Sequence, residues 1–146
     1  MLYRDIVISG LDRTGKSTLI SNLWTYYNTS PNGCSIIRGD KMQKNIVPTE
    51  EHRYLYMNSI NYAFKNMKLY RDQNIPGTRL YDRLHIDEAV YGAKYRKYKK
   101  KDISKIYDLE KDYVSEFDEE SIFLIVLVDE PANLLARDDG LGFTSD

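Results

Sequence analysis

The chain is poor in cysteine: among 146 residues only Cys34 carries a thiol, so an internal disulfide is excluded and a reducing compartment fits. It is also poor in net charge. Charged side chains make up 29% of residues but sum to −1, which argues against a global field drawing the chain to nucleic acid or an anionic membrane. Long apolar runs are missing as well. No stretch approaches the roughly 18–20 apolar residues of a membrane span, and the opening MLYRDIVISG has no apolar segment of a secretory signal. Histidine is scarce. His52 and His85 stand without a cysteine or a second histidine at ligand spacing, and both read as structural. Repeats, linkers and low-complexity tracts are absent. What remains reads as one domain, 1–146, long enough to bury a substantial core. Its thirteen tyrosines read as amphipathic packing residues at element edges.

Apolar periodicity orders the chain as strands and helices in alternation. Residues 3–9 read as a first strand, and a helix from about Gly15 carries Leu19, Leu23, Trp24 and Tyr27 at helical spacing. NTSPNG breaks it, and CSIIR (34–38) reads as a second strand. Pro48-Thr49-Glu50-Glu51 reads as a helix start, with Thr49 as N-cap; the helix puts Tyr56, Ile60, Phe64 and Met67 on one face and ends near Arg71-Asp72. TRLYD (78–82) is a third strand, followed by helices over about 86–99 and 103–118. SIFLIVLV (121–128), the most apolar run, reads as a strand buried on both faces, and the segment after it as helical up to Arg137. Such alternation predicts an α/β fold in which a parallel sheet lies between layers of helix.

Between the first strand and first helix, Gly10 to Ser17 fits Gly, four residues, Gly-Lys-Ser. A glycine-rich loop opening a helix turns backbone N–H groups toward one spot, where the helix dipole also favours an anion. Lys16 would reach the β- and γ-phosphates of a triphosphate, and the Ser17 hydroxyl would ligate Mg²⁺. Phosphoryl transfer needs further charge near the γ-phosphate, and parallel sheets gather such groups at the carboxyl ends of strands. Tyr81-Asp82-Arg83 ends the third strand there: Asp82 would serve Mg²⁺ or act as a base, and Arg83 would clamp a phosphate. Arg38, ending the second strand, is a further candidate for an acceptor phosphate.

GLDRTGKST and YDRLHIDEAVYG together resemble the thymidylate kinases and related deoxynucleoside monophosphate kinases, of the eukaryotic, viral or phage-like type with Asp-Arg inside the phosphate loop. VDEPANLLARDDG adds a looser third likeness. The resemblance implies a P-loop fold of strand order 2-3-1-4(-5) and transfer of the γ-phosphoryl of MgATP to a deoxynucleoside monophosphate, dTMP first. ATP would lie on Gly10, Thr14, Gly15, Lys16, Ser17 and Thr18. Asp12 would bind the sugar hydroxyl of the acceptor, Arg13 would reach the transferring phosphoryl group, and Asp82 and Arg83 would serve Mg²⁺ and the acceptor phosphate. Tyr91 would lie near the base or sugar, and Arg137 would open the lid. A cytoplasmic protein is implied, in the host cytoplasm if viral, with a nucleotide rather than nucleic acid or a membrane as partner; monomer and homodimer both stay open.

The chain departs from the family at Met57 and Asn61, where Phe and Arg usually meet the base, and at Leu84, where Tyr or His is usual. It ends inside an acidic lid, so the family's last strand and helix are expected to be lacking.

Four other readings compete. A deoxynucleoside kinase would use Asp82 as a base toward a neutral hydroxyl. LIVLVDEPANLL resembles the metal-binding strand of transporter-type ATPases, although residues 84–120 hold one glycine, Gly92, where that class has a serine-glycine-glycine signature. KYRKYKKK (94–101) interleaves lysine with tyrosine as single-strand binders do, which would suit a polynucleotide kinase. It reads better as a solvated helix C-terminus, followed by the acidic stretch 110–120. A nucleotide-binding module with little turnover is the fourth.

Overall fold

The computed structural model describes residues 5–11, 14–29, 31–38, 50–95, 97–117 and 122–136, with only the helical backbone at 50–54, 95 and 117. Asp12, Arg13, Thr49 and Arg137 therefore lie outside the described residues. Four strands, β1 (Asp5–Gly10), β2 (Cys34–Arg38), β3 (Thr78–Asp82) and β4 (Ile122–Leu127), pair in parallel in the order β2-β3-β1-β4. Between and after them run α1 (Lys16–Tyr27), α2 (Glu50–Asp72), α3 (His85–Tyr95), α4 (Lys100–Phe117) and α5 (Pro131–Ala136). The result is an α/β fold with helices on both faces of a parallel sheet. Among the described residues no helix is long and apolar enough to cross a membrane.

The two-residue alternation of strands divides the core. Ile6, Ile8 and Leu80 point to one face and pack against Ile20 and Tyr27 of α1. Val7 and Tyr81 point to the other, against Ile60, Phe64 and Met67 of α2 and Tyr113 of α4. The helical spacing of the α2 residues thus meets the strand spacing on a shared surface.

One polar group interrupts this core. Asp5 and Arg79 are opposite each other in the β1–β3 register, and Arg79 Nε and Nη2 donate to the two Asp5 carboxylate oxygens at 2.8 and 3.1 Å. Tyr81 Oη donates to Asp5 at 3.0 Å, and the Arg79 guanidinium lies 4.4 Å over the Tyr70 ring. Burial opposes the charge of Arg79, but the Asp5 carboxylate outweighs it and raises the guanidinium pKa. Burial, then the Asp5 charge, pushes the Tyr81 phenol far up.

Two sequence expectations fail here. SIFLIVLV is not buried on both faces: among the described residues β4 is the outer strand beside β1, and Phe123, Val126 and Val128 are exposed while Ile122 is buried. An apolar run reports only that burial is affordable; position in the sheet decides it. The helix expected over 86–99 ends at Tyr95, and KYRKYKKK is not one helix end. Lys97 adopts a left-handed φ of 56°, which turns Tyr98 back into the protein. There its N–H donates to the Gly92 carbonyl at 3.1 Å, its hydroxyl donates to Glu88 at 2.8 Å, and its ring joins Ala89 and Ile106. Lys100 and Lys101 fall in the first turn of α4, where Asp102 accepts the Lys99 N–H at 2.9 Å, a cap formed by a first-turn acid. A Cβ on Gly92 would stand 2.1 Å from the Tyr98 ring. Gly92→Ala is therefore expected to cost about 1–3 kcal/mol through forced repacking, read as a lower urea midpoint; an unchanged midpoint would show that Tyr98 moves freely.

Candidate functional site

Three strands end at one edge of the sheet, and the sequence puts a charged or glycine residue at each end. β1 ends in Gly10, where a Cβ would lie 2.8 Å from Thr14 Oγ1 and 3.2 Å from the Leu127 carbonyl oxygen. Thr14 Oγ1 donates to the Leu11 carbonyl at 2.7 Å, bending the chain into a tight loop. Gly15 caps α1 at φ 90°, a left-handed conformation that costs glycine little, and among the described residues no side chain caps that helix start. The first-turn N–H groups of α1 are thus available to an outside acceptor, with Ser17 and Thr18 exposed beside them.

Next to that helix start, Asp82 ends β3 opposite Arg38 at the end of β2. Lys16 Nζ donates to Asp82 Oδ1 at 2.8 Å, and Arg38 Nε donates to Oδ2 at 3.2 Å. Lys16 and Asp82 are largely shielded from solvent, whereas the Arg38 side chain is 61% exposed and so adds little stability. One carboxylate thus holds two cations at the mouth of the loop.

Arg83 leaves β3 at φ 69°, a left-handed conformation unusual for a side chain of its size, with its N–H donating to the Ile8 carbonyl at 3.0 Å. Its guanidinium lies 4.9 Å from the centroid of the buried Tyr91 ring on α3. Gly10, Thr14, Gly15, Lys16, Ser17, Thr18, Arg38 and Asp82 therefore surround one edge, and Arg83 and Tyr91 pair beside it. Met57 is elsewhere: it packs against Ala89, Tyr98 and Ile106.

One residue here carried no sequence signal. Asp87, in the first turn of α3, reads as an acid complementing the helix dipole. In the fold it is buried, and its Oδ1 accepts the Gly10 N–H at 3.1 Å. Burial pushes its carboxyl above the usual carboxylate range, against the pull of the Gly10 and Leu84 backbone, Ser9 and Arg83.

His85, fully buried, accepts or donates through Nε2 to Glu110 Oε2 at 3.0 Å and meets the Phe64 ring edge-on at 5.2 Å. Burial pushes its pKa below the ordinary value, while Glu110 and Asp87 pull upward. A base with a depressed folded pKa stabilises the fold above its unfolded pKa, near 6.5, and the gain is lost as pH falls toward the folded value. Between about pH 7.5 and about pH 5.5 the urea midpoint should fall, by up to about 1.4 kcal/mol of stability per pH unit for this one proton. His85→Gln should flatten that part of the slope; an equal slope in both proteins would assign it elsewhere.

Just past the C-terminal end of β4, Asp129 Oδ1 accepts the Glu130 N–H at 2.7 Å and the Asn133 side-chain amide at 2.9 Å, joining the strand exit to the first turn of α5. The chain matches no protein-family model and no curated protein.

Proposed function

We propose that the chain is a P-loop kinase of the thymidylate kinase type, moving the γ-phosphoryl of MgATP to a deoxynucleoside monophosphate, with dTMP as the first candidate. The observation that carries this reading is the meeting of Lys16 and Arg38 on Asp82, beside the glycine-led start of α1. The order β2-β3-β1-β4, with the glycine loop following β1, supports assigning the sheet to the P-loop class.

An acceptor phosphate is already an anionic nucleophile, so the reaction calls for charge neutralisation and alignment more than for a base. Lys16 and the α1 N–H groups take the triphosphate, Arg38 and Arg83 take the acceptor phosphate, and Tyr91 flanks the sugar or base. Asp12, Arg13 and Arg137 keep the roles implied by the resemblance. Among the described residues no three His, Cys, Asp or Glu gather as a metal cage. Mg²⁺ does not need one, since it takes one or two protein oxygens plus phosphates and water. The exposed Ser17 hydroxyl and the Asp82 carboxylate are oxygen donors of that kind; when bound, the ion would neutralise charge on the phosphates.

Two observations bear on the competing readings. Both Asp82 oxygens already hold cations, which suits a clamp better than a base toward a neutral hydroxyl. Asp129 Oδ1 accepts from the Glu130 N–H and the Asn133 amide at the start of α5, and Tyr98 is buried, not a stacking platform. The test is phosphate transfer from ATP to a panel of nucleosides and nucleoside monophosphates. Transfer to a deoxynucleoside monophosphate is expected. Transfer only to unphosphorylated nucleosides would replace the reading by a nucleoside kinase, acceptor-independent hydrolysis by an ATPase, and binding without turnover by a binding module.

A further inference from the structure

We infer that Asp87 is a positioning residue that ties the first residue of the phosphate loop to the acceptor-side arginine, Arg83; the inference rests on the kinase reading for what the two sides bind. The β1–β3 ladder stops where β3 turns away. Ile8 still accepts the Arg83 N–H, but the left-handed turn at Arg83 removes the backbone partner that Gly10, the next residue on that edge of β1, would otherwise meet. Asp87 supplies the acceptor instead, reaching back from the first turn of α3 to the Gly10 N–H at 3.1 Å. A side chain thereby continues the sheet by one bond, at the residue where the loop begins.

An amide would accept that N–H as well, without the desolvation cost of a buried carboxylate. The charge has a second use. The Arg83 guanidinium is held 4.9 Å from the centroid of the Tyr91 ring, one turn beyond Asp87 on the same face of α3, and from there it favours the charged form of Asp87. One buried carboxyl is therefore linked by a hydrogen bond to the donor loop and by charge to the group proposed to hold the acceptor phosphate. Gly10 leaves no room for compensation, because even a methyl group there would clash with Thr14.

The two functions separate in two variants. Asp87→Asn keeps an oxygen for the Gly10 N–H and removes the charge facing Arg83; Asp87→Ala removes both. Exchange of the Gly10 amide with deuterium, followed by NMR on the full chain without ligand, reads the tie directly. It should speed up roughly tenfold or more in Asp87→Ala and stay near the parent in Asp87→Asn. With nucleotides, Asp87→Ala should weaken ATP binding about tenfold or more, whereas Asp87→Asn should hold ATP within about threefold yet raise the acceptor KM about tenfold. Unchanged Gly10 exchange in Asp87→Ala, or equal losses on both substrates in both variants, would overturn the inference. A parent protein that binds no ATP while its Gly10 amide responds as expected would instead sink the kinase reading and leave the tie standing.

Discussion

Arg79→Met is expected to destabilise the fold by about 3–5 kcal/mol, the largest loss foreseen for a single side chain outside the site. Asp5 is fully buried at the start of β1, and three of its hydrogen bonds come from Arg79 and Tyr81. Removing the guanidinium leaves a carboxylate in the core with a single phenol donor. It also strips the cation from the Tyr70 ring. The loss should appear as a fall in urea midpoint with an unchanged slope. It belongs to the uncompensated charge and not to the bond count, so Asp5→Leu in the Arg79→Met background should recover most of it. A cost below about 1 kcal/mol for the single variant would mean that water reaches Asp5.

Lys16→Met should lower the rate of phosphoryl transfer by about 10²–10³-fold or more, since a preorganised cation at the transferring group is lost. The expected effect on stability is small, about 1 kcal/mol, because Arg38 stays on Asp82 and the pair retains some solvent. Lys16→Arg should not rescue the rate, as a planar fork cannot occupy the place of a point charge reaching 2.8 Å from Asp82. Transfer that survives Lys16→Met within about tenfold would contradict the role assigned to the loop. Comparing the two variants distinguishes the two parts of the molecule: Arg79 supports the sheet at one end, and Lys16 is proposed to act on phosphate at the other.

Which of these features the sequence could show depends on how local their cause is. CSIIR and TRLYD form strands at the residues their composition marks, and the apolar spacing of Ile60, Phe64 and Met67 matches the buried face of α2. Gly15 is legible because its left-handed cap needs glycine, and Lys16 because its spacing from the loop glycines is set by the turn of the chain itself. Asp82 and Arg38 were legible as strand ends, though not as partners 44 residues apart.

The limits of that legibility have physical causes. Lys97 and Tyr98 read as a solvated basic run because nothing in their immediate sequence records that Gly92 leaves a slot for an aromatic ring. SIFLIVLV read as a strand buried on both faces because hydrophobicity measures tolerance of burial, while the cover each residue receives depends on which elements pack beside it. No local pattern singles out Asp87, since its partner, Gly10, lies 77 residues earlier. By itself the sequence determined the alternation of elements, the glycine loop and the residues capable of handling phosphate, all of which arise within a few residues of one another. Only the tertiary structure decided which carboxylate holds Lys16, which one holds Gly10 and which residues of β4 meet solvent, because each depends on contacts between distant segments whose energy no local pattern encodes.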